Sequence, residues 1–360
     1  MTNAAAPGDR DFAALIEPHR AELHAHCYRM LGSMHDADDA LQDTLLRAWR
    51  GAGGLRDAQS PRAWLYSIAT NVCLTELQRR KRRVLPHDFS QAAALHTPPG
   101  EPIVESAWIE PYPDGPLGLP AGAAAPEASY EQHEAIELAF VAAVQSLGPN
   151  QRAVLLLREV LGFSAQESAT MLQTTVASVN SALARARTAV KDRVGERSQQ
   201  ATLRSLGEQG LRQLVDRYVD AWERCDVDLF ASLLVADATF AMPPLSTWYT
   251  PRDTIASWAR EFSMSGAWRW RAELTRANAQ PALAFYAWDD AAGAHLPFAL
   301  NVLTLRDTLV SDVTAFIVRS TDAPEPEAYV HFPEQPMDDR ALTGVFERFE
   351  LPDRLPARAA

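Results

Sequence analysis

Basic residues are missing from a long stretch of this sequence, because no lysine or arginine lies between Arg83 and Arg152, whereas nine carboxylates do. Cysteine is scarce as well: the three cysteines, Cys27, Cys73 and Cys225, are odd in number and far apart, which argues against a disulfide framework and fits a reducing compartment. No apolar run approaches the roughly 20 residues that a membrane span requires, and the first residues lack the pattern of a secretory signal. We therefore expect a cytoplasmic protein that makes no use of the membrane.

The length and the distribution of charge indicate several domains. A chain of 360 residues exceeds the size at which a single hydrophobic core stops growing, about 250 to 300 residues. The formal net charge of -12 averages over these domains, so binding to an acidic partner depends on where the cations lie. We predict two all-α modules and a C-terminal α+β domain, with these segments: all-α 9–83, an acidic linker rich in Pro, Gly and Ala at 84–129, all-α 130–197, α+β 205–320, and a tail at 321–360 that wraps a neighbour or stays mobile.

The second all-α module contains the pattern of a helix-turn-helix. Ser164 and Glu167 have the spacing of a capping box, which predicts a helix from Ala165, and a turn is expected near Gln173. The next helix places an apolar stripe on one face. Its opposite face and flanks carry side chains that can bond base edges and phosphates, namely Ser178, Asn180, Ser181, Arg185 and Arg187. A helical hairpin with a solvated polar face is the alternative, and the pattern alone leaves both open.

The first module offers two further candidate surfaces. In DADDALQDTLLRAWR, polar and apolar side chains on exposed or flanking positions, among them Asp39, Gln42, Asp43 and Leu46, offer a docking face for a protein, although Leu46 and Trp49 also fit a core. The stretch RAWLYSIATNVCLTELQRRKRR carries an apolar helical pattern with polar Asn71 and Thr75, and then five consecutive cations: Arg79, Arg80, Lys81, Arg82 and Arg83. A solvated helix end is the alternative, but five cations point to phosphate contacts, and an aromatic beside them can stack on an unpaired base.

Together these motifs resemble regions 2 and 4 of the extracytoplasmic-function group of bacterial sigma-70 factors, and the phrase WIEPYPD with the added domain resembles a subgroup carrying a fused SnoaL-like domain. The resemblance implies RNA polymerase core and promoter DNA as partners. It implies that polymerase binds Asp39, Gln42, Asp43, Leu46 and Trp49. It implies that Trp64 to Arg83 open the minus-ten element, with Asn71 at a pocket for a flipped base. It also implies that the minus-thirty-five element is read by Asn180, Ser181, Ala184 and Arg185.

The C-terminal domain resembles a SnoaL-like cone, a fold that hosts binders and enzymes alike. We expect aromatic residues of this domain to fill its core or to line an apolar pocket for a small-molecule ligand. The candidate pocket residues are Trp222, Phe240, Trp248, Tyr249, Trp258 and Trp288, and the same aromatic set includes Trp268, Trp270, Phe285 and Tyr286. An enzyme would need an acid or base with a tuned pKa there, for which Asp237, Asp253 and His295 are the candidates, and no catalytic pair emerges.

The HAHC stretch lacks a second pair of zinc ligands, and we expect no metal and no cofactor. The function predicted is therefore a sigma factor regulated in cis by its C-terminal domain; the alternative is a ligand sensor or a cyclase- or isomerase-like enzyme fused to a DNA-binding module.

Overall fold

The computed structural model describes residues 9–51, 60–100, 103, 108–114, 134–191, 193–194, 198–318 and 345–357. The chain divides into two compact units. The first comprises Met1–Arg83 with Gly115–Glu196, and the second comprises Val84–Asp114 with Arg197–Ala360. Within the described residues, no helix combines the length and the apolar character needed to cross a bilayer.

The first unit is helical in its described residues. Its first helices are α1 Asp9–Ile16, α2 Arg20–Leu31, α3 Met34–Gly51 and α4 Pro61–Leu77. Its later helices are α6 Leu138–Gln145, α7 Pro149–Leu155 with a π-helical continuation Leu156–Val160, α8 Ala165–Met171 and α9 Val176–Lys191. The short helix α5, Pro86–Phe89, belongs to the second unit. Helix α4 begins where the sequence favours it, because Ser60 accepts a hydrogen bond from the Ala63 amide and Pro61 occupies the first helical position. The all-α prediction for this half of the chain is confirmed.

The helix-turn-helix forms as its sequence signals predict. Ser164 accepts a hydrogen bond from the amide of Glu167, and the Glu167 carboxylate accepts one from the Ser164 amide at 2.8 Å, which completes the capping box. Gln173 supplies the turn with a positive φ of 50°. On α9 the inward stripe is buried at Val179, Leu183 and Ala186.

One buried cation ties the two halves of the first unit together. The Arg152 side chain donates to the main-chain oxygen of Met30 in α2 and, at 2.6 Å, to the side-chain oxygen of Gln145 in α6. Gln145 in turn donates to the Arg29 carbonyl at 2.9 Å. Burial lowers the pKa of Arg152 to about 10, which leaves it charged at neutral pH. Because a buried charge is costly without partners, this network fixes how α6 and α7 pack on α2.

The second unit is α+β, as predicted. Its further helices are α10 Gln199–Glu223, α11 Val227–Ser232 and α12 Arg252–Glu261, and its strands are β1 Leu234–Ala241, β2 Trp248–Tyr249, β3 Trp270–Ala277, β4 Gln280–Asp289, β5 Ala294–Arg306 and β6 Leu309–Ile317. The six strands form one sheet in the order β2-β1-β6-β5-β4-β3, antiparallel except for the parallel pair β1 and β6. Gly207, with a positive φ of 69°, interrupts α10, a conformation that glycine adopts without a steric penalty. The helices and one face of the sheet enclose an aromatic core that includes Tyr218, Trp222 and Phe230.

Two segments that the sequence assigned to a linker and a tail are packed against the second unit. The first is residues 84–114, here called the linker segment, which contains the short helix α5 and a parallel bridge between Val84 and Trp108. The second is residues 345–357, where Phe346 contacts the Tyr286 ring and Leu355 forms a bridge with His295. This part of the predicted acidic linker therefore packs with the second unit, because its backbone forms hydrogen bonds with residues outside the segment. Residues 115–129 of that predicted linker lie outside the described residues.

The capping box gives a direct test of what starts α8. Replacing Ser164 with Ala removes the acceptor for the Glu167 amide, and loss of such a cap costs about 1 kcal/mol. We expect amide exchange within Ala165–Met171 to become roughly fivefold faster in the full chain, measured by hydrogen–deuterium exchange. Thr188→Ala, which removes an exposed hydroxyl from the middle of α9, should leave α8 unchanged. Equal exchange in the wild type and Ser164→Ala would show that packing alone sets this helix start.

Candidate nucleic-acid interface

The outer face of α9 presents the whole set of predicted base-reading residues to solvent. The buried stripe of this helix turns the opposite face outward, so that the following residues are all exposed: Ser178, Asn180, Ser181, Ala184, Arg185 and Arg187. Arg187 also pairs with Glu159 at 2.6 Å, whereas the Ser178 hydroxyl accepts a hydrogen bond from Thr175. A helix of this kind, with exposed polar and cationic groups and a capped partner helix behind it, has the arrangement that fits a DNA major groove.

The predicted polymerase face lies on α3. Its inner side is buried at Ala37 and Ala48, so the residues predicted to dock on polymerase are all exposed: Asp39, Gln42, Asp43, Leu46 and Trp49. Leu46 is 48% exposed and Trp49 39%, which decides against the alternative that both fill the core. Trp49 keeps an edge contact with the Phe12 ring at 5.2 Å between centroids. Two large apolar side chains set among carboxylates are typical of a surface that another protein covers.

The five consecutive cations divide into two sets in the structure. Helix α4 ends at Leu77, so the cations lie beyond the helix rather than in its last turn as predicted. Arg80 and Arg83 turn back to the buried carboxylate of Asp36, whose oxygens each accept from one guanidinium. Burial lowers the pKa of Arg80, but the charge and hydrogen bond of Asp36, together with the charges of Glu76 and Asp39, outweigh it, so the net pKa lies above its ordinary value. Arg83 is itself buried, whereas Arg79, Arg80, Lys81 and Arg82 are exposed.

Asn71 and Trp64 lie on α4, and both are half-buried. The Asn71 side-chain amide donates to the carbonyl of Ser67 at 2.7 Å and to the carbonyl of Met171, the last residue of α8, at 3.3 Å. The residue predicted to line a base pocket is therefore bonded to the helix-turn-helix of the same unit. No pattern along the chain signals this contact, which joins positions 100 residues apart.

Arg62 is the second link between α4 and the helix-turn-helix. Its guanidinium donates to the Leu161 carbonyl at 3.1 Å and to the Glu22 carboxylate at 3.1 Å. It also lies over the rings of Tyr66 and Phe163, at 5.1 and 4.7 Å from their centroids. This one side chain thus contacts α2, α4 and the connection between α7 and α8. We name the set of Arg62, Asn71 and their contacts the α4 joint.

His26 beneath this joint does not act as a pH sensor near neutrality. Its ring is fully buried, and burial, with smaller contributions from Arg29 and Arg62, lowers its pKa to about 3. The ring bonds the Thr70 hydroxyl at 3.0 Å. Among the residues that the structure describes, no cluster of three or more His, Cys, Asp or Glu side chains is arranged to hold a metal ion.

The second unit contains an aromatic cavity beside its sheet. Of the six predicted pocket residues, Trp222, Phe240 and Trp258 line it, whereas Trp248, Tyr249 and Trp288 do not. Trp248 and Tyr249 instead bond the linker segment, and Trp288 lies beside Arg269 and Asp290. Trp268, Trp270 and Phe285 of the same aromatic set also line the cavity. The lining residues that sequence reasoning missed are Met242, Ser263, Phe298, Ala299, Asn301, Ala315 and Ile317. Side chains alternate between the two faces of strands β3 to β6, and this alternation brings most of these residues to the inner face. The alternation identifies them only once the strand pairing is known.

The three candidate acids and bases lie away from this cavity. The Asp237 side chain is 68% exposed and pairs with Arg306, and the Asp253 side chain is 90% exposed. His295 is buried on β5, where its main chain pairs with Leu355 and its ring contacts Trp288. Of the described residues that line the cavity, none is an acid, a lysine, an arginine or a histidine.

Comparison with known proteins defines the class to which the first unit belongs. Residues 15–83 match the family model of Sigma-70 region 2, and residues 137–190 match that of Sigma-70 region 4. The chain is 41% identical over 313 residues to the ECF RNA polymerase sigma factor SigG of Mycobacterium tuberculosis, covering 85% of this chain and 81% of the relative. It is 30% identical over 181 residues to SigM of the same organism, covering 50% of this chain and 76% of the relative.

A solved structure shows a related architecture. The crystal structure of the extracytoplasmic function sigma factor SigJ of Mycobacterium tuberculosis has a TM-score of 0.53 and 22% identity to this chain, covering 86% of this chain and 95% of that one. At this identity the likeness concerns the fold alone. The identity to SigG over most of both chains carries the assignment: the protein belongs to the extracytoplasmic-function group of RNA polymerase sigma factors.

The α4 joint can be tested by removing its central cation. Arg62→Ala loses hydrogen bonds of a charged group, each worth about 1.5 to 3 kcal/mol, together with two ring contacts. We expect hydrogen–deuterium exchange to become roughly tenfold faster or more in α8 and in residues 161–164 of the full chain. Arg47→Ala removes an exposed cation that pairs with Asp43 on α3 and should leave these amides unchanged. The joint would be refuted as a structural link if both variants exchanged alike.

Proposed function

We propose that this sigma factor binds RNA polymerase core through the exposed face of α3 and reads promoter DNA with α9 and with α4 and the cations that follow it. The exposed recognition face of α9 is the observation that supports this most directly, because its polar groups are displayed while its apolar stripe is buried. The exposed Leu46 and Trp49 support the polymerase contact. This role places the chain in the cytoplasm, together with the polymerase and the chromosome.

The closed arrangement of the first unit bears on how DNA is bound. Asn71 cannot line a pocket for a flipped base while its amide is bonded to Met171. The α4 joint must therefore open before the minus-ten element is melted. Such an opening also lets the two DNA-binding modules reach promoter elements that lie apart along the duplex.

We propose that the second unit regulates initiation in cis by holding the linker segment. At one end of this segment Ser90 donates to the Ser246 carbonyl at 2.6 Å and accepts at its own carbonyl from the Trp248 indole at 3.0 Å. Further along, Gly100 donates to the Thr247 hydroxyl at 2.7 Å. A Cβ at position 100 would lie 2.7 Å from that same oxygen, so only glycine permits this approach.

The other end of the linker segment is bound at the turn between β3 and β4. Asn278 and Tyr112 exchange two hydrogen bonds, at 2.8 Å through the Asn278 amide and at 3.0 Å through its side-chain oxygen. Asp114 accepts from the Ala279 amide at 2.6 Å and pairs with Arg276 at 3.0 Å. The chain that leaves region 2 is thus fixed along the second unit before it continues towards region 4. Acidic linkers of this kind can follow polymerase channels built for nucleic acid, and that path requires release of these bonds.

We infer that the second unit is a binding and regulatory domain without catalysis of its own. The exposed positions of Asp237 and Asp253, and the placement of His295 outside the cavity, support this reading over the cyclase- or isomerase-like enzyme. A proton-abstracting enzyme needs a tuned acid or base within reach of its substrate.

The recognition face can be tested with Arg185. We expect Arg185→Ala to weaken binding of the polymerase holoenzyme to the upstream promoter element about 5- to 20-fold, because one base contact contributes about 1 to 3 kcal/mol. Binding to core polymerase should stay within roughly twofold of wild type. The assay is footprinting and filter binding on a promoter selected from random-sequence DNA. Lys191→Ala removes an exposed cation at the C-terminal end of the same helix, beyond the predicted base-reading residues, and should bind as wild type; equal losses for both variants would contradict the assignment.

The hydrogen bonds that fix the linker segment can be tested at Asn278. Its φ of 54° is a conformation that glycine adopts readily. Asn278→Gly removes the side-chain bond to the Tyr112 amide without adding backbone strain. We expect roughly threefold or more transcription in vitro from the selected promoter with core polymerase, because release of the segment is favoured. Asp307→Gly makes the same kind of change in the β5–β6 turn, at a φ of 56°, and should leave transcription unchanged. Faster exchange at the Tyr112 amide with unchanged transcription would refute regulation through this segment.

A further inference from the structure

The cavity of the second unit has the features of a site for a neutral ligand. It opens to solvent and has about 420 Å³ of empty space when its mouth is included, an upper bound on what enters without movement of side chains. Its walls are mainly flat rings: Trp268 stacks on Trp270 at 5.2 Å, and Trp222 lies 4.9 Å from Phe285. Such walls favour a flat apolar ligand.

The polar atoms of this lining that are buried without a hydrogen-bond partner among the described residues include one indole nitrogen and one hydroxyl. These two are the indole nitrogen of Trp258, a residue 2% exposed, and the hydroxyl of Ser263, a residue 7% exposed. The side chain of Asn301, also in the lining, is buried beside the Tyr218 hydroxyl. A buried donor without a partner is costly, so these groups call for a ligand that carries oxygen atoms as acceptors and a donor.

The same lining excludes a charged ligand. With no acid, lysine, arginine or histidine among its described residues, the cavity offers no counterion to a carboxylate or an ammonium group. A charge moved from water into such surroundings would lose its hydration without compensation.

One wall of the cavity is in direct contact with a residue that holds the linker segment. The Trp258 ring stacks on Tyr249 at 5.2 Å with an interplanar angle of 22°. The Tyr249 hydroxyl donates to the carbonyl of Thr97 in the linker segment at 3.0 Å. A ligand that bonds the Trp258 indole shifts this ring, and the Tyr249 hydroxyl then moves with it.

We propose that this cavity binds a small, neutral, aromatic molecule bearing a hydroxyl or carbonyl oxygen, and that binding loosens the linker segment through Trp258 and Tyr249. The coupling half of this proposal rests on the regulatory role proposed above for the linker segment. The ligand site itself stands on the cavity alone.

The test uses the full chain with 2-naphthol as the neutral probe and 2-naphthoate as its charged counterpart, both measured by isothermal titration calorimetry. We expect 2-naphthol to bind at least about tenfold more tightly than 2-naphthoate. Trp258→Phe, which keeps an aromatic ring but loses the N–H, and Ser263→Ala should each weaken 2-naphthol binding about 3- to 10-fold. Trp288→Phe, outside the cavity, should bind as wild type. Equal binding of the two probes, or 2-naphthol binding that neither Trp258→Phe nor Ser263→Ala weakens, would overturn the site.

The coupling is read from hydrogen–deuterium exchange at the amides of Gly100 and Ile103, which bond Thr247 and Pro244. Saturating 2-naphthol should speed their exchange roughly twofold or more in wild type. Exchange that stays unchanged or slows while the probe is bound would overturn the coupling. Because these measurements contain neither polymerase nor DNA, failure of the proposed promoter role would show separately, as loss of transcription in a protein that still binds 2-naphthol.

Discussion

The guanidinium of Arg62 is the constraint on which the arrangement of the first unit depends. Arg62 belongs to α4, and its guanidinium donates to Glu22 of α2 and to the Leu161 carbonyl next to the helix-turn-helix. The same guanidinium lies over the Phe163 ring. A planar group with five fixed donors can satisfy partners on three elements at once, which a lysine cannot do. With Asn71 bonded to Met171 nearby, α4 and the helix-turn-helix are held against each other. The first unit is thus in a closed state.

The acidic stretch after Arg83 explains how a chain of net charge -12 serves a DNA-binding function. The stretch from Arg83 to Arg152 holds nine carboxylates and no lysine or arginine, so it carries much of the negative charge apart from the two helical modules, and part of it is folded onto the second unit. Asp114, for example, is committed to Arg276 and to the Ala279 amide, so its charge is compensated where it lies. The sequence composition shows the boundary at Arg83 clearly. It gives no sign that the following 31 residues, Val84–Asp114, join a unit whose other residues begin at Arg197.

What the sequence predicted well is local. Helical periodicity placed α3 and α9 and their buried faces, and the pair Ser164 and Glu167 placed the start of α8, because caps and amphipathic stripes act within a few residues. What it missed is long-range. Asp36 captures Arg80 and Arg83, and three of six predicted pocket residues lie outside the cavity, since Trp248 and Tyr249 serve the linker segment. These contacts join positions more than 40 residues apart, and no pattern along the chain specifies them.

The closed state is suited to a protein that must change shape. The α4 joint consists of a few hydrogen bonds and ring contacts, each worth about 0.5 to 3 kcal/mol, so its disruption lies within what a large polymerase interface supplies. A partner shifts such an equilibrium only by its difference in affinity for the two states. In the closed state the α3 face is exposed, whereas the Asn71 amide is bonded to Met171. In the function proposed for this chain, release of the linker segment from the second unit is a separate step that a regulator controls.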